Sequence, residues 1–427
     1  MTDPSKTDAG FVVVLGGRSE RELGVVRSLG HRVLLVDEQV PWHCMSWADA
    51  HLDVDLDDWD AVAEAVRGEL GDEPVAAVLT HTEPRLPLMA HLNGRLVAGA
   101  PGLDESAVAN CRDKWRTRTV LSEAGVPVPR FARVDTADEA AAAAVALGYP
   151  VVIKPRDGAG AFGVRCCPDE TAVREAVTAL LGSPPGALPG VLVEEYVDGD
   201  EYAVQTITHG TKTTVLSVFR QRMTPPPVFV ELGYDHPSGV TDADHDELAR
   251  LMQETLAAIG LRDWITHTQV RRGPEGFRVI EVNARRPGGR LVEMTTAVSG
   301  VDMTEAVTRQ VLGLPQAVAG PTVPFARYTS IVFDTAGTVM YDDYTPAPGR
   351  TGPTAPIVEV EVAAGESVHP KEHPNGGVYG RIVVYGETAE ELDRAEREVQ
   401  DGLSLQVVFT DGLGPAAADS REFKSCC

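Results

Sequence analysis

An α/β fold in about three domains is what this sequence predicts, on three observations. Short apolar runs alternate with helical patterns through residues 11–112, the rhythm of an open parallel sheet. An apolar strand ending at Lys154-Pro155 runs into a loop with glycines at 158, 160 and 163. Further on, Glu281, Asn283 and Arg285 recur at alternate positions, a period that places three polar groups on one face of a strand. At roughly 150 residues per domain, 427 residues give about three domains, and 43% hydrophobic residues let each bury a core.

The first domain, 1–112, opens with an apolar strand over 11–15 and a helix near 20–29. A strand over 33–36, a helix over 58–70 and a strand over 76–79 follow. The acidic run from Asp53 to Asp60 reads as the solvated approach to its helix. Gly16-Gly17 and Asp37 are spaced as in a dinucleotide site, but the turn lacks G-x-G-x-x-G and places Glu20 where a pyrophosphate would approach, so a scaffold role is expected instead. Glu83, just after the strand ending at Leu79, lies at the sheet edge where parallel sheets bind ligands and is a candidate for substrate contact.

The second domain, 113–324, begins with a helix over 114–124, an alanine-rich helix over 137–147 and the strand 151–155. The loop, a helix and the strand 191–197 complete a lid of about 113–195. Residues 220–241, dense in proline and glycine, read as loop. A helix over 244–259 and two strands, 266–270 and 277–282, lead to a boundary at Pro321–Pro324. A small α+β domain over 325–411 and a disordered tail over 412–427 are expected after it.

Composition excludes several classes. A net charge of −25 argues against nucleic acid and anionic membrane as partners, since both are bound by clustered basic residues. No apolar run is long enough to span a bilayer and no signal peptide is legible at the start, so a cytoplasmic protein is expected. The six cysteines lack metal-site or disulfide spacing and read as reduced thiols.

Any phosphate site must therefore be local, and the sequence offers one. Glycines at 158, 160 and 163 let backbone N–H groups close over phosphates, and Lys154 adds a point charge. Glu281 and the Asn283 amide oxygen suit Mg2+, which takes few protein ligands and shares the rest with phosphate oxygens and water. The Arg285 fork suits a carboxylate or a transferring phosphoryl group. His267 shares a strand face with Gln269 and reads as a satisfied histidine rather than a ligand.

These residues, with Lys114, Glu194-Glu195-Tyr196-Val197, Glu201 and Gln269, resemble the ATP-grasp superfamily in order and spacing. The loop Thr224–Glu231, the turn Asn283-Ala284-Arg285-Arg286-Pro287-Gly288-Gly289 and the segment Gly377–Ile382 look most like its L-amino-acid ligase group, which includes dipeptide synthetases. The resemblance implies an ATP-grasp fold: a parallel-sheet domain, a lid and core, and a small C-terminal domain. It implies ATP and one or two Mg2+ ions as cofactors, small-molecule carboxylate and amine substrates, and a homodimer.

By that resemblance Lys114 and Lys154 hold the α- and β-phosphates, helped by the loop at Gly158, Gly160 and Ala161. The backbones of Glu194, Glu195 and Val197 meet adenine, and Glu201 accepts the ribose hydroxyls. Gln269, Glu281 and Asn283 form the metal site and Arg285 steadies an acyl phosphate. Tyr234, Arg286, Gly288 and Gly289 face substrate, and since a phenol takes no proton at neutral pH, the amine proton falls to Glu231 or to water. Gln269 stands where many members carry a second metal-binding glutamate, and Tyr234 where the ligase group tends to carry histidine. A carboxylating or purine-pathway ligase, and a nucleotide-binding homologue with impaired catalysis, remain open as alternatives.

Overall fold

The structure is a computed structural model. It describes residues 10–422 apart from 18, 98, 100–101, 159–160, 183–187, 345–351, 353, 372, 374–376 and 410–419. The first domain holds β1 (Phe11–Leu15), α1 (Glu20–Ser28), β2 (Arg32–Asp37), α2 (Trp42–Met45), β3 (Ala50–Asp53), α3 (Trp59–Leu70), β4 (Val75–Leu79), α4 (Leu86–Leu96) and α5 (Glu105–Arg112). Its strands form a parallel sheet in the order β3-β2-β1-β4. All five residues of β1 are buried, as expected of a strand covered on both faces. Asp58 caps α3 by accepting from the Ala61 N–H, so the acidic run does end in a helix start. The edge strand β3 escaped the sequence reading because only Ala50 and Leu52 in it are apolar.

The lid comprises α6 (Lys114–Glu123), β5 (Phe131–Val134), α7 (Ala137–Leu147), β6 (Val151–Pro155), β7 (Arg165–Cys167), α8 (Glu170–Leu181) and β8 (Val191–Glu195). Its antiparallel sheet runs β5-β8-β6-β7 over a core of its own, formed with the two helices. Asp113 caps α6 and also takes the Arg156 guanidinium, with Nη2 at 2.5 Å. That double use fixes Lys114, the first helical residue, against the end of β6.

The core adds β9 (Asp200–His209), β10 (Lys212–Met223), β11 (Glu231–His236), α9 (Asp242–Ile259), β12 (Trp264–Gly273), β13 (Gly276–Asn283), α10 (Leu291–Ser299) and α11 (Met303–Val311). The C-terminal part adds β14 (Phe325–Ser330), β15 (Gly337–Tyr344), β16 (Ile357–Val360), β17 (Ser367–Val368), β18 (Gly380–Gly386), α12 (Ala389–Gly402), β19 (Leu403–Phe409) and β20 (Ser420–Glu422). An eight-stranded sheet runs β13-β12-β9-β10-β11-β14-β18-β16, and a smaller one runs β17-β15-β19-β20. Three C-terminal strands thus extend the core sheet past Pro321–Pro324. Apart from β20, the tail beyond residue 409 lies outside the described residues.

One expectation is corrected here. Residues 220–241 are not a continuous loop: Arg220–Met223 end β10, and Glu231–His236 form β11, paired with β10 and β14. Proline is confined to 225–227 and to 237, outside the strands. Gly233 sits inside β11 at φ +148°, where an added Cβ would lie 2.1 Å from the Tyr328 carbonyl oxygen. That glycine permits the close pairing with β14 and is no turn signal.

The first domain is tied to the core by Arg21, whose guanidinium reaches Glu293 at 3.3 Å and Asp302 at 2.6 Å. Among the described residues no helix is long and apolar enough to cross a membrane. Cys44, Cys111, Cys166 and Cys167 are buried.

Candidate active site

Strands β12 and β13 supply the floor. Their antiparallel register pairs Gln269 with Glu281 and His267 with Asn283, which sets the four side chains beside one another. All four line a cavity of about 860 Å³ between lid and core. Lys114, Lys154, Gly158, Ala161, Glu194, Glu195, Val197 and Glu201 line it too, as do Glu231, Tyr234, Arg285, Gly288 and Gly289. The structure thus gathers most of the residues singled out in the sequence. Gly160 lies outside the described residues. Glu83 and Arg286 do not line the cavity: Glu83 accepts from Arg285 Nε at 3.0 Å, and Arg286 donates to Glu22 of α1. Both brace the turn that carries Arg285 against the first domain.

At the end bordered by Lys114 and Lys154, the cations Lys114, Lys154 and Arg118 are paired with Glu281 and Glu194. Lys114 Nζ lies 2.8 Å from Glu281 Oε1 and donates to the Gly158 carbonyl at 3.0 Å, joining the lid loop to β13. Lys154 Nζ lies 2.6 Å from Glu194 Oε2, and the fully buried Arg118 meets Glu194 Oε1 with Nε at 2.7 Å. Arg118 also donates to the Ile280 carbonyl at 2.5 Å, one residue before Glu281. Burial pushes the Lys154 ammonium down to about 8, against the pull of Glu194. Burial by itself would raise the carboxyls of Glu194 and Glu281; their cationic neighbours outweigh it and hold both below the usual range. Two ionised carboxylates and their cations therefore persist side by side in the cleft.

The donors present fit a hard divalent cation. Glu281 supplies a carboxylate and Asn283 an amide oxygen, while Gln269 spends its N–H on the Gln221 oxygen at 3.0 Å and so keeps its own oxygen available. Among the described residues no cluster of three or more His, Cys, Asp or Glu could hold a metal ion. A cation here would need ligands from a bound phosphate, the arrangement magnesium prefers. His267 is satisfied by Gln205 at 3.0 Å, and burial, then Arg285, lower it to about 4, so it stays neutral.

The opposite end is built differently. Tyr234 donates to Glu231 Oε2 at 2.5 Å, and the Tyr328 ring packs edge-on against Tyr234 with centroids 5.6 Å apart. Burial raises the Glu231 carboxyl, and the two phenols and Arg381 offset this only in part. Burial and Glu231 push the Tyr234 phenol well above its usual value, so it acts as a donor and not as a base. Lys371, His373, Val378 and Arg381 bring the C-terminal part to this wall.

Sequence reasoning missed Arg118, Arg271, Gln221 and Tyr328. Each is defined by a partner far along the chain, and no local spacing announces it.

The cleft thus lies between an antiparallel lid and a larger sheet, with Lys114 and Lys154 facing the strand that carries Glu281 and Asn283. Residues 147–294 match the family model of the ATP-grasp domain, and the chain has the ATP-grasp fold. Among curated relatives, an uncharacterised protein y4rH of Sinorhizobium fredii is 31% identical over 245 residues, which cover 57% of this chain and half of that protein. A D-alanine–D-alanine ligase of Delftia acidovorans is 26% identical over 308 residues, 68% of this chain and 87% of the ligase. Among solved structures, the L-amino acid ligase of Bacillus licheniformis superposes with a TM-score of 0.76 at 22% identity, covering 93% of this chain and 98% of the ligase. The biotin carboxylase domain of 2-oxoglutarate carboxylase from Hydrogenobacter thermophilus, solved with MgADP, gives 0.69 at 17% identity, covering 92% of this chain and 90% of that one.

Proposed function

We propose that this protein is an ATP-dependent carboxylate–amine ligase that activates an amino acid or a related carboxylate as an acyl phosphate and releases ADP and phosphate. The observation that carries the reading is the one cleft in which Lys114 and Lys154 face Glu281 and Asn283 at one end while half-buried Glu231 stands at the other. Its relatives include a ligase that joins two amino acids and a structural neighbour named an L-amino acid ligase.

In this reading Lys114, Lys154 and the loop at Gly158 and Ala161 hold the phosphates, and Glu201 takes the ribose hydroxyls. Val197 and the backbone of Glu194 and Glu195 meet the adenine edge. Glu281, Asn283 and the Gln269 oxygen would hold Mg2+, whose chemistry is to neutralise charge on the β- and γ-phosphate oxygens. Arg285, oriented by Glu83, steadies the phosphoryl group as the carboxylate attacks it. No protein nucleophile is required; positioning and charge neutralisation supply the acceleration. Glu231, accepting from Tyr234, takes the proton from the attacking amine. Burial raises its carboxyl, which makes the carboxylate a stronger base than an exposed one.

The test is incubation with ATP, Mg2+ and panels of amino acids and amines, following nucleotide products and new amides together. Amide formation with stoichiometric ADP and phosphate is expected. Release of AMP and pyrophosphate would refute the mechanism.

A further inference from the structure

Arg271 has no part in the roles assigned above, yet it makes several contacts at the nucleoside end of the cleft. It stands on β12 directly opposite Glu201 of β9 in the strand register. Its Nε donates to Glu201 Oε2 at 2.8 Å, and its Nη1 donates to the Val197 carbonyl at 3.1 Å. The face of the same guanidinium lies over the Tyr196 ring at 5.2 Å and the Phe229 ring at 5.4 Å, two rings stacked 6.3 Å apart at an interplanar angle of 21°. The side chain is buried and borders the cavity with Tyr196, Val197, Glu201 and Phe229.

Only a planar guanidinium can make these contacts at once. The fork gives two donors in fixed directions while the π-face covers the aromatic pair. Lysine could offer a charge but not two divergent N–H bonds and a flat face. The arrangement commits Oε2 of Glu201, a residue that borders the cavity, to a protein partner, and it fixes the Val197 peptide beside it. Phe229 lies two residues before Glu231, so the support under the nucleoside end also carries the loop leading to the acceptor end. That loop is further clipped to the lid by the Cys166 N–H, which donates to the Pro227 carbonyl at 3.0 Å.

We infer that Arg271 is a positioning residue that makes the site selective for a ribose diol over a deoxyribose, by holding the Glu201 carboxylate where a sugar 2′-hydroxyl can donate to it. The inference rests on the reading of the cleft as an ATP site and adds the determinant of sugar recognition. A carboxylate held by a charge-assisted bond acts as a rigid acceptor; released, it swings and hydrates, and the 2′-hydroxyl loses its advantage.

The experiment compares ATP with 2′-deoxyATP, by calorimetric binding and by KM, in the unsubstituted protein and in Arg271→Met, Arg271→Lys, Glu201→Gln and the double variant Arg271→Met with Glu201→Gln. The unsubstituted protein is expected to prefer ATP by about 10-fold or more, the loss typical of one hydrogen bond to a charged group. In Arg271→Met the preference should fall to within about 3-fold because ATP loses more binding than 2′-deoxyATP, and Arg271→Lys should lie between. The double variant should discriminate no less than Arg271→Met, because the two residues act through one contact.

A variant that weakens both nucleotides equally and keeps the preference would overturn the inference, since loss of mere structural support moves both. Should Arg271→Met fail to fold, Arg271→Lys decides in the same way: full retention of the preference refutes the role, and partial loss upholds it. Absence of ATP binding by the unsubstituted protein would refute the nucleotide-site reading itself, and this inference with it.

Discussion

At the phosphate end of the cleft, Lys154, Glu194 and Arg118 share one buried network, and Lys114 meets Glu281. At the acceptor end, half-buried Glu231 accepts a hydrogen bond from the Tyr234 phenol. The key carboxylates at both ends, Glu281 and Glu231, are partly buried, so the difference lies in the partners. Opposite charges hold carboxylates ionised whatever the burial, whereas neutral donors leave desolvation the larger influence and raise the carboxyl. One end is thereby suited to fixed charge that steadies phosphates, the other to a proton that moves. A cleft that must bind a polyanion and also accept a proton benefits from keeping the two apart.

The largest effect is expected from breaking the charged end. Glu281→Ala removes the only carboxylate among the three proposed metal donors and frees Lys114, and ligation should fall about a thousandfold or more. Calorimetry should show weakened Mg2+-dependent ATP binding in a protein that still folds. Activity near that of the parent would mean the contrast between the ends has been drawn in the wrong place.

A smaller effect sharpens the other end. The bond from Tyr234 stabilises ionised Glu231, so Tyr234→Phe should raise the Glu231 carboxyl further. Since the ionised form accepts the amine proton, the acid limb of kcat/KM should move to higher pH, with a loss of about 3- to 10-fold at the low-pH side. A pH profile superposable on that of the parent would exclude Glu231 as the proton acceptor.

The smallest effect concerns the balance of charge at the metal strand. Gln269→Glu adds a carboxylate opposite Glu281 and should tighten divalent-cation binding about threefold or more, measured by Mn2+ titration with ADP present. Weaker Mn2+ binding would show that Gln269 serves through its bond to Gln221 and not as a donor to the metal.

How far the sequence led depends on whether the signal was local. The strand spacing of Glu281 and Asn283 and the position of Lys154 before its glycine loop both lie within a few residues, and the structure brings these groups to one cavity. The parallel sheet was legible because β1 and β2 are nearly continuous apolar runs. What failed was non-local. Strand β11 was hidden by Gly233, whose meaning comes from Tyr328 almost a hundred residues later. Arg118 and Arg271 look like ordinary charged residues until the fold presents Glu194 and Glu201 to them. Glu83 and Arg286 carried local cues to substrate contact, and the fold gives their side chains Arg285 and Glu22 as partners instead.

The most direct test of the account is an isotope transfer. Once an acid and amine are found by the panel assay, ligation of the acid with 18O in its carboxylate should deliver one labelled oxygen to inorganic phosphate, because the carboxylate attacks the γ-phosphorus and the amine then displaces phosphate. Label recovered in AMP, or an amide formed with no label in phosphate, would contradict the acyl-phosphate mechanism on which the reading of this cleft depends.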